Sequence, residues 1–430
     1  MNYVNIGILH SSCIKFELIG DFYCKGEVYT GEKSISVEKG SLCFEGVLCD
    51  RLHFLPANDD CRFLLHDVVI GVGFHWQRKE NQLFKGELIF IVEDDAVRAI
   101  NRLFIEDYLV SVISSEMSAT SSLEFLKAHT VISRSWLYAQ LHRKEKVQSG
   151  QLGYENDTEL LRWYAREDHT LFDLCADDHC QRYQGLTRAI NPNVMAAVKA
   201  TENVVLKYDG EVCDARFSKC CGGATERFSA CWEDMDFPYL DSFSDSAEKS
   251  AIPNLATEEG ARCWIESTPD AFCASPAKEV LAQVLNDYDC ETNDFYRWQV
   301  CYTQRELSQL IAERSGCDFG TIEDLQPVER GASGRIIRLR VVGSKATKIV
   351  GKELEIRRWL SSTHLYSSAF VVDKIADENG ETCFLLKGAG WGHGVGLCQI
   401  GAAVMGEKGY TYEQILSHYY PGAVLEEIMQ

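Results

Sequence analysis

The sequence has few basic residues for its size, few prolines and no low-complexity tract. Its 430 residues include 43 lysines and arginines against 64 aspartates and glutamates, which gives a net charge of −21. This negative charge repels the phosphates of nucleic acids, so we expect no nucleic-acid partner. With only 8 prolines, 46% hydrophobic and 25% charged residues, the composition is that of a folded globular protein. The length is enough for two or three domains.

The sequence also lacks a recognisable membrane span and a recognisable export signal. The uncharged run "GAGWGHGVGLCQIGA", residues 388–402, is rich in glycines, which disfavour a continuous transmembrane helix. The N-terminal segment "MNYVNIGILHSSCIKFELIG" has no basic start, long apolar middle or small-residue cleavage site. We therefore expect no transmembrane segment, and either a cytoplasmic location or a leader that has been removed.

Cysteine, in contrast, is abundant, with 18 residues spread along the chain. They are too sparse for a small disulfide scaffold. Many lie beside aromatic and aliphatic residues in strand-like segments, as Cys24, Cys43 and Cys49 do. Because cysteine is commonly buried as a free thiol, we expect most of them to be buried and free, which suits a cytoplasmic location.

The pattern of predicted elements indicates an α+β fold. Residues 1–97 show short alternating strands separated by glycine turns, which predicts a β-rich N-terminal region. Residues 98–245 contain a segment with apolar residues on two helical faces, which predicts a long, buried, central helix. Residues 246–295 are acidic and irregular and indicate an insertion or linker, whereas residues 296–430 contain a helix, a hairpin and the glycine run. We expect mixed α/β lobes forming a cleft around the central helix.

Glu116 is the first candidate for chemistry. It follows an apolar segment in "SVISSEMSA", just before the predicted long helix. Partial burial there would raise the pKa of its carboxyl group towards the range useful for a general acid. The alternative is an ordinary surface glutamate near a helix start, where the helix dipole favours it.

A second candidate is the segment "HTLFDLCADDHCQRYQG", which concentrates cysteine and histidine. His169, Cys175, His179 and Cys180 are four groups of the kind that bind zinc tetrahedrally. Their spacing matches no standard zinc finger. The alternative is a loop with a buried thiol.

Two glycine-rich segments are further candidates. In "ARFSKCCGGATERF", Gly222 and Gly223 lie between Ser218 and Thr225, and such a step either approaches a ligand closely or forms a simple hairpin turn. The adjacent cysteines before them are redox-active, metal-binding or incidental. In the uncharged run, His393 could orient a substrate, transfer a proton or bind metal; the alternative is a hydrogen-bonded structural histidine, although the glycines around it favour a pocket wall.

Seven segments between residues 98 and 426 occur in the order found in one known family. They are "INRLFIEDYLVSVISSEM", "LEFLKAHTVISRSWLYA", "FDLCADDHCQRYQG", "ARFSKCCGGATE", "LEIRRWLSSTHLYSSAF", "GAGWGHGVGLCQIGA" and "HYYPGAVLE". In these segments the chain resembles the stage II sporulation protein D / LytB family.

The resemblance implies a lytic transglycosylase that cleaves the MurNAc–GlcNAc bond of bacterial peptidoglycan without hydrolysis. The implied catalytic acid/base is Glu116, the glutamate of the "EM" pair. A hydrolytic glycosidase generally needs two carboxylates. One carboxylate suffices here because the C6 hydroxyl of the sugar attacks intramolecularly and leaves a 1,6-anhydroMurNAc end.

The resemblance also implies partners and binding residues. The glycine-rich segments would line a cleft for neutral peptidoglycan glycan strands. The residues expected to bind this substrate are Ser218, Gly222, Gly223, Thr225, His393, Gly394 and Gln399. Some family members carry zinc in the cysteine–histidine region, which implies a structural zinc held by His169, Cys175, His179 and Cys180 and no organic cofactor.

The resemblance leaves the activity and the location open between alternatives. LytB-type members act as enhancers of a cell-wall N-acetylmuramoyl-L-alanine amidase, so a non-catalytic role with an amidase partner is the alternative. A cytosolic carbohydrate-binding protein is a third possibility. The family implies a location in the cell envelope or periplasm, in contrast to the missing export signal.

The chain departs from the family pattern at three positions. Ser118 replaces a proline, His129 a glutamine of the long helix, and Cys398 a serine of the glycine motif. Because Glu116 is retained, we expect these changes to affect the substrate range more than the reaction.

Overall fold

A computed structural model describes most of the chain. The described residues are 3–71, 77–118, 120–146, 153–164, 169–177, 180–187, 192–248, 251–274, 278–284, 294–376, 378 and 380–428.

Strands outnumber helices in the described residues. The strands are β1 (Tyr3–Ser11), β2 (Cys13–Cys24), β3 (Glu27–Glu38), β4 (Ser41–Phe44), β5 (Val47–Cys49), β6 (Arg51–Pro56), β7 (Arg62–Ile70), β8 (Arg78–Phe84), β9 (Glu87–Glu93), β10 (Ala96–Phe104), β11 (Gly153–Glu155), β12 (Glu159–Arg162), β13 (Leu174–Cys175), β14 (Val204–Tyr208), β15 (Glu211–Val212), β16 (Phe217–Ser218), β17 (Arg297–Thr303), β18 (Ile322–Arg330), β19 (Ile336–Gly343), β20 (Thr347–Gly351), β21 (Phe370–Ala376), β22 (Thr382–Ala389), β23 (Leu397–Cys398) and β24 (Val424–Glu427). The α-helices are α1 (Ile105–Glu116), α2 (Leu123–Lys146), α3 (Pro192–Ala200), α4 (Glu258–Glu266), α5 (Lys278–Val284), α6 (Gln304–Ser315), α7 (Glu353–Trp359), α8 (Gln399–Glu407) and α9 (Tyr412–Tyr419).

The chain divides into two compact units, each built from separated stretches. The first unit comprises Met1–Ala119, Arg166–Asn203 and Ile428–Gln430, and the second comprises Thr120–Ala165 and Val204–Glu427. The first unit therefore contains Glu116 and the cysteine–histidine segment, and the second contains both glycine-rich segments.

The first unit is organised around an 11-stranded sheet. Its strand order is β13-β1-β10-β9-β6-β2-β3-β4-β5, with β7 paired to β2 and β8. Alternation along the strands sends aromatic side chains into one core, where the ring centroids of Phe16 and Phe90 are 4.9 Å apart and those of Phe44 and Phe54 are 5.6 Å apart. Burying each such side chain stabilises the fold by about 1.5–3 kcal/mol. The predicted β-rich N-terminal region is confirmed.

The second unit is organised around α2, which is buried on both sides. Val131, Ile132 and Leu137 are inaccessible to solvent. The polar residues of the helix bind neighbouring backbone: the Ser135 hydroxyl accepts a hydrogen bond from the Leu206 amide at 2.8 Å, and the Arg134 guanidinium donates to the Val204 carbonyl at 3.0 Å. The predicted long buried helix is confirmed.

Smaller sheets complete the second unit. They are β11-β12-β20-β19-β18, β17-β22-β21, β15-β14-β24 and β16-β23. The predicted hairpin is β19–β20, which pairs antiparallel. Helix α6 begins at a Thr303–Glu306 capping box and ends at Gly316, whose φ of 72° suits only glycine well. The α+β class is thereby confirmed, and no helix among the described residues is long and apolar enough to span a membrane.

Helix α4 lies in the acidic stretch that shows little regular pattern in the sequence. Glu258 and Glu259 occupy its first turn, where the helix dipole favours them. Ala261, Trp264 and Ile265 are buried on one face at helical spacing. The acidic residues of the outer face therefore obscure the helical pattern in the sequence, although the helix packs into the second unit.

Candidate functional site

Glu116 is the last residue of α1, and its side chain is half-buried. The helix ends there because Met117 adopts an extended conformation (φ −121°, ψ 147°). One carboxylate oxygen, Oε1, accepts a hydrogen bond from the Arg182 backbone amide at 3.3 Å. The helix-start alternative is wrong, because a helix C-terminus offers a carboxylate no favourable dipole. The fold itself holds Glu116 in place through a backbone donor.

The residues on either side of Arg182 are anchored to the same helix. The Tyr108 hydroxyl donates to the Gln181 side-chain oxygen at 3.0 Å, and the rings of Tyr108 and Tyr183 are stacked with centroids 5.4 Å apart. Tyr183 in turn donates to the Asn101 side-chain oxygen at 2.5 Å. Burial raises the pKa of Tyr108 well above its usual value, so this tyrosine remains a neutral donor. Motif reasoning missed Tyr108, although it lies in the quoted "IEDYL" segment.

The cysteine–histidine segment docks on the edge of the large sheet. Strand β13 pairs parallel with β1, with Cys175 opposite Gly7. The Phe172 ring packs on the same glycine so closely that an added Cβ would lie 2.7 Å from it. The Asn5 amide also donates to an Asp173 carboxylate oxygen at 2.9 Å. The segment that reaches Glu116 is thus fixed at its other end by β1.

Three of the four predicted zinc ligands come together in this segment. The ligand atoms of His169, Cys175 and Cys180 all lie within 4.8 Å of one another, and all three side chains are half-buried. His179 lies outside the described residues. The donor set of one imidazole and two thiols fits zinc. A cavity of about 170 Å³ adjoins this group, and Cys175, Asp177 and Arg182 are among its lining residues.

In the second unit, the two glycine-rich segments pack against each other. Cys220 and Trp391 exchange backbone hydrogen bonds of 2.8 and 3.0 Å. Gly222 has a φ of +79°, and an added Cβ would lie 2.9 Å from the Gly390 nitrogen. The run therefore folds tightly on its own chain, and contact between its glycines and a ligand stays a prediction.

A buried pair of opposite charges supports this contact. The Arg335 guanidinium, inaccessible to solvent, donates to the carbonyls of Gly392 at 3.1 Å and Cys221 at 3.3 Å. It also donates to the Ser333 hydroxyl at 2.9 Å, which donates to the buried Glu226 carboxylate at 2.7 Å. Burial raises the pKa of Glu226, opposed by the hydrogen bond from Ser333. Sequence reasoning missed this pair, whose only signal was a charged residue directly after the "GGAT" turn.

His393 is held by its own fold as a neutral imidazole. Its Nδ1 accepts a hydrogen bond from the Val395 amide at 3.0 Å, and its ring meets Trp232 edge to face at 4.9 Å. Burial, together with the charges of Arg216 and Arg335, lowers the pKa of His393 well below its usual value. The histidine is therefore not an imidazolium at neutral pH. A role in orienting a substrate is compatible with this neutral ring.

The other predicted substrate residues have partners inside the second unit. The Ser218 hydroxyl accepts from the Gly394 amide at 3.2 Å, and the Thr225 hydroxyl donates to the Asp241 carbonyl at 2.9 Å. Gln399 is buried and bonds to His129 of α2 at 3.1 Å, so the residue that replaces the family glutamine contacts the glycine motif. These contacts assign them a structural role, and ligand contact stays a prediction for the set Ser218, Gly222, Gly223, Thr225, His393, Gly394 and Gln399.

Comparison with known proteins places a family domain over the Glu116 region. The model of the Stage II sporulation protein family, SpoIID, matches residues 93–208. The chain carries a SpoIID domain. This domain spans Glu116 and the cysteine–histidine segment. A second model, a domain of unknown function (DUF8618), matches residues 226–396.

The relatives of this SpoIID-domain chain are distant. An uncharacterized protein of Brachyspira hyodysenteriae is 26% identical over 342 residues, covering 79% of this chain and 71% of the relative. Stage II sporulation protein D of Bacillus subtilis is 22% identical over 332 residues, covering 77% of each. An amidase enhancer of Bacillus subtilis is 26% identical over 325 residues, covering 74% of this chain but 40% of the enhancer.

Proposed function

We propose that this protein is a peptidoglycan lytic transglycosylase in which Glu116 is the general acid and base. The SpoIID domain and the likeness to an amidase enhancer support a function related to the bacterial cell wall. The observation that carries the proposal is the placement of Glu116, half-buried at a helix end and held by one backbone donor.

The carboxylate is suited to proton transfer because it is fixed but not saturated. Among the described residues, the Arg182 amide is its only hydrogen-bond donor, so Oε2 can face a substrate. A general acid must come within hydrogen-bond reach of the atom that it protonates. The anchored segment at Gln181 and Arg182 restricts the carboxylate position and so lowers the cost of reaching that geometry.

In the proposed reaction, the protonated Glu116 donates its proton to the glycosidic oxygen as the bond from C1 to that oxygen breaks. The C6 hydroxyl of the same muramic acid then attacks C1. The Glu116 carboxylate accepts the hydroxyl proton, which returns the enzyme to its starting state. No water is consumed, so a second carboxylate to activate water is not required.

We also propose that the second unit binds glycan through half-buried aromatic side chains in and near its glycine motif. Trp391, His393 and Trp232 are only half-buried, and aromatic faces of this kind present broad apolar surface with a polar edge. Gly394 and the buried predicted residues would hold these rings in place. The net charge of −21 is compatible with a neutral glycan.

We also propose a structural zinc at His169, Cys175 and Cys180, with His179 as fourth ligand. Zinc would supply a fixed link close in sequence to Arg182. Elemental analysis of Cys175→Ser should show about one zinc per chain less than wild type, with reduced turnover because the segment at Arg182 is held less firmly. Unchanged zinc content in this variant would remove the proposal.

The proposed reaction is tested with Glu116→Gln on purified, peptide-free glycan strands. We expect wild type to release anhydro-ended products, detected by mass spectrometry, and the variant to be slower by about 10²–10⁴-fold, the usual contribution of general acid–base catalysis. Glu106→Gln, on the same helix, is the matched control and should retain activity. If wild type and Glu116→Gln both give no anhydro ends, the protein is not a lytic transglycosylase on this substrate.

A second function is supported by the likeness to the amidase enhancer. In that case the protein would bind a cell-wall amidase and raise its activity without cleaving glycan. Adding the protein to an amidase digest of purified cell walls distinguishes the two. Enhancement that survives Glu116→Gln would favour the enhancer role, and loss of enhancement in that variant would favour the transglycosylase.

A further inference from the structure

A second cluster of potential metal ligands lies in the interior of the second unit, away from the cysteine–histidine segment in sequence. The ligand atoms of Cys221, Asp245, Cys273 and Cys398 all lie within 4.8 Å of one another, and all four residues are buried. The Sγ atoms of Cys221 and Cys273 are 3.6 Å apart. Two sulfurs bound to one tetrahedral zinc at about 2.3 Å are separated by about 3.8 Å, so the cluster has the dimensions of a zinc site.

The Asp245 carboxylate is oriented as a metal ligand with supporting donors would be. Its Oδ1 accepts hydrogen bonds from the Tyr419 hydroxyl at 2.8 Å and the His418 Nε2 at 3.3 Å. Its Oδ2 faces the Cys221 sulfur at 3.3 Å. Metal-bound carboxylates and histidines are typically fixed by such a second set of hydrogen bonds. One oxygen is thus anchored while the other points at the thiols.

The cluster also places sulfurs and a carboxylate in the protein interior, where a negative charge without a counter-charge is unfavourable in free energy. Asp245 is inaccessible to solvent, and its hydrogen bonds come from a hydroxyl and from a histidine that is charged only if protonated. A buried carboxylate without a compensating charge is strongly unfavourable. The sulfur of Cys398 acts as an acceptor, since the Cys221 amide donates to it at 3.2 Å. A divalent cation among these groups would compensate the charge and satisfy the sulfurs together.

We propose that Cys221, Asp245, Cys273 and Cys398 bind a structural zinc ion with three sulfurs and one oxygen. The four ligands come from separate stretches: the "CCGG" turn, the loop at Asp245, the acidic stretch before α5, and the start of α8. The ion links the two glycine-rich segments to the acidic stretch. It stabilises the second unit and takes no part in the proposed glycan cleavage.

Cys220 is the main alternative ligand for this proposed site. Its thiol lies close to those of Cys273 and Cys398, yet its sulfur is not part of the group of four whose ligand atoms lie within 4.8 Å. The comparison of Cys220→Ser with Asp245→Asn therefore tests the ligand set. We expect Asp245→Asn to weaken zinc binding and Cys220→Ser to retain the metal; the reverse result overturns the assignment of Asp245.

The main test is the zinc content of the full chain purified without added metal. We expect Cys273→Ser to contain about one zinc per chain less than wild type. The matched control is Cys213→Ser, which changes a thiol that is equally buried but outside the cluster. Cys175→Ser reports on the other site, so the two losses should add in the double variant. Equal zinc content in Cys273→Ser and Cys213→Ser overturns the proposal, whatever the outcome for glycan cleavage.

A second measurement applies if Cys273→Ser does not fold. Wild type stripped of metal and titrated with Co²⁺ should show thiolate-to-cobalt charge-transfer absorption. Cys175→Ser should retain the part of this absorption that comes from the three sulfurs of the interior site. Iron in place of zinc, or a Cys221–Cys273 disulfide found by mass spectrometry of the alkylated, non-reduced protein, would overturn the proposal.

Discussion

The two motif regions of this protein differ in the burial and the hydrogen-bond partners of their polar side chains. In the first unit, Glu116 is half-buried and has one backbone donor among the described residues. In the second, Ser218, Thr225 and Gln399 are buried and hydrogen-bonded to their own chain. The first motif therefore leaves one carboxylate oxygen of Glu116 without a hydrogen-bond donor among the described residues, whereas the second builds a tightly packed interior.

The glycines show the same contrast. Gly390, Gly392, Gly394 and Gly396 all have positive φ values between 71° and 88°, and each added Cβ would meet neighbouring chain atoms. In the first unit, Gly7 has no such backbone requirement and is restricted only by the Phe172 ring. The glycine motif should therefore be far less tolerant of substitution than the edge of the large sheet.

The largest effect is expected for Gly394→Ala. Its φ of +76° disfavours alanine by about 1–2 kcal/mol, and the Cβ would lie 2.4 Å from Arg335 Cζ. Displacing this buried guanidinium breaks its bonds to Gly392 and Cys221, so we expect a loss of about 3–5 kcal/mol in the free energy of unfolding. Chemical denaturation measures it.

Gly409→Ala is the matched control for this substitution. Gly409 has a similar φ of +84°, but an added Cβ meets no atom within 4 Å. It should cost about 1–2 kcal/mol, the backbone contribution alone. Equal losses in the two variants would show that Arg335 does not depend on the close packing of the motif.

A smaller, pH-dependent effect is expected for His129→Gln. Burial lowers the pKa of His129 to about 3, so the folded state keeps it neutral while the unfolded state protonates it below about pH 6.5. Its contribution to stability is therefore complete above pH 6.5 and is lost as the pH falls towards 3. At pH 5 the loss is about 2 kcal/mol. Glutamine can keep the bond to Gln399 without this penalty.

The measurement is the free energy of unfolding at pH 7 and pH 5. His129→Gln should lose less stability than wild type between these values. His142→Gln is the control, because His142 lies on the same helix and is exposed. A wild-type decline that persists in full in His129→Gln would assign the pH dependence to other groups.

Much of the fold follows from local sequence patterns. Alternation predicted the strands of the first unit, two apolar faces predicted α2, and Gly316 marked the end of α6, since each signal lies within the element itself. Helix α4 was not predicted, because its exposed acidic residues dominate the composition of that stretch. The four consecutive ranges proposed from the sequence stay a prediction, since composition alone carries no information on how separated stretches assemble.

The candidate site was likewise predictable from the sequence only in part. Glu116 and the candidate ligands His169, Cys175 and Cys180 could be named from the sequence because each belongs to a short motif. Arg335 and Cys273 could not, because their partners Glu226 and Cys221 are distant in sequence and only folding brings them together. The sequence also gave no indication that Glu116 ends a helix, because an apolar segment alone does not define its own boundary.

The smallest effect is expected at the edge of the first unit, for Gly7→Ala. The new Cβ would lie 2.7 Å from the far end of the Phe172 ring, which must move and carry the cysteine–histidine segment with it. Because the ring can shift, we expect a stability loss of only about 1 kcal/mol and a roughly tenfold lower kcat for the proposed glycan cleavage, since the segment at Arg182 also loses its anchor. Adding Phe172→Leu makes room and should restore much of the activity. If Gly7→Ala leaves kcat unchanged, this segment does not position Glu116, and the contrast between an adaptable first region and a rigid second one would not account for the proposed catalysis.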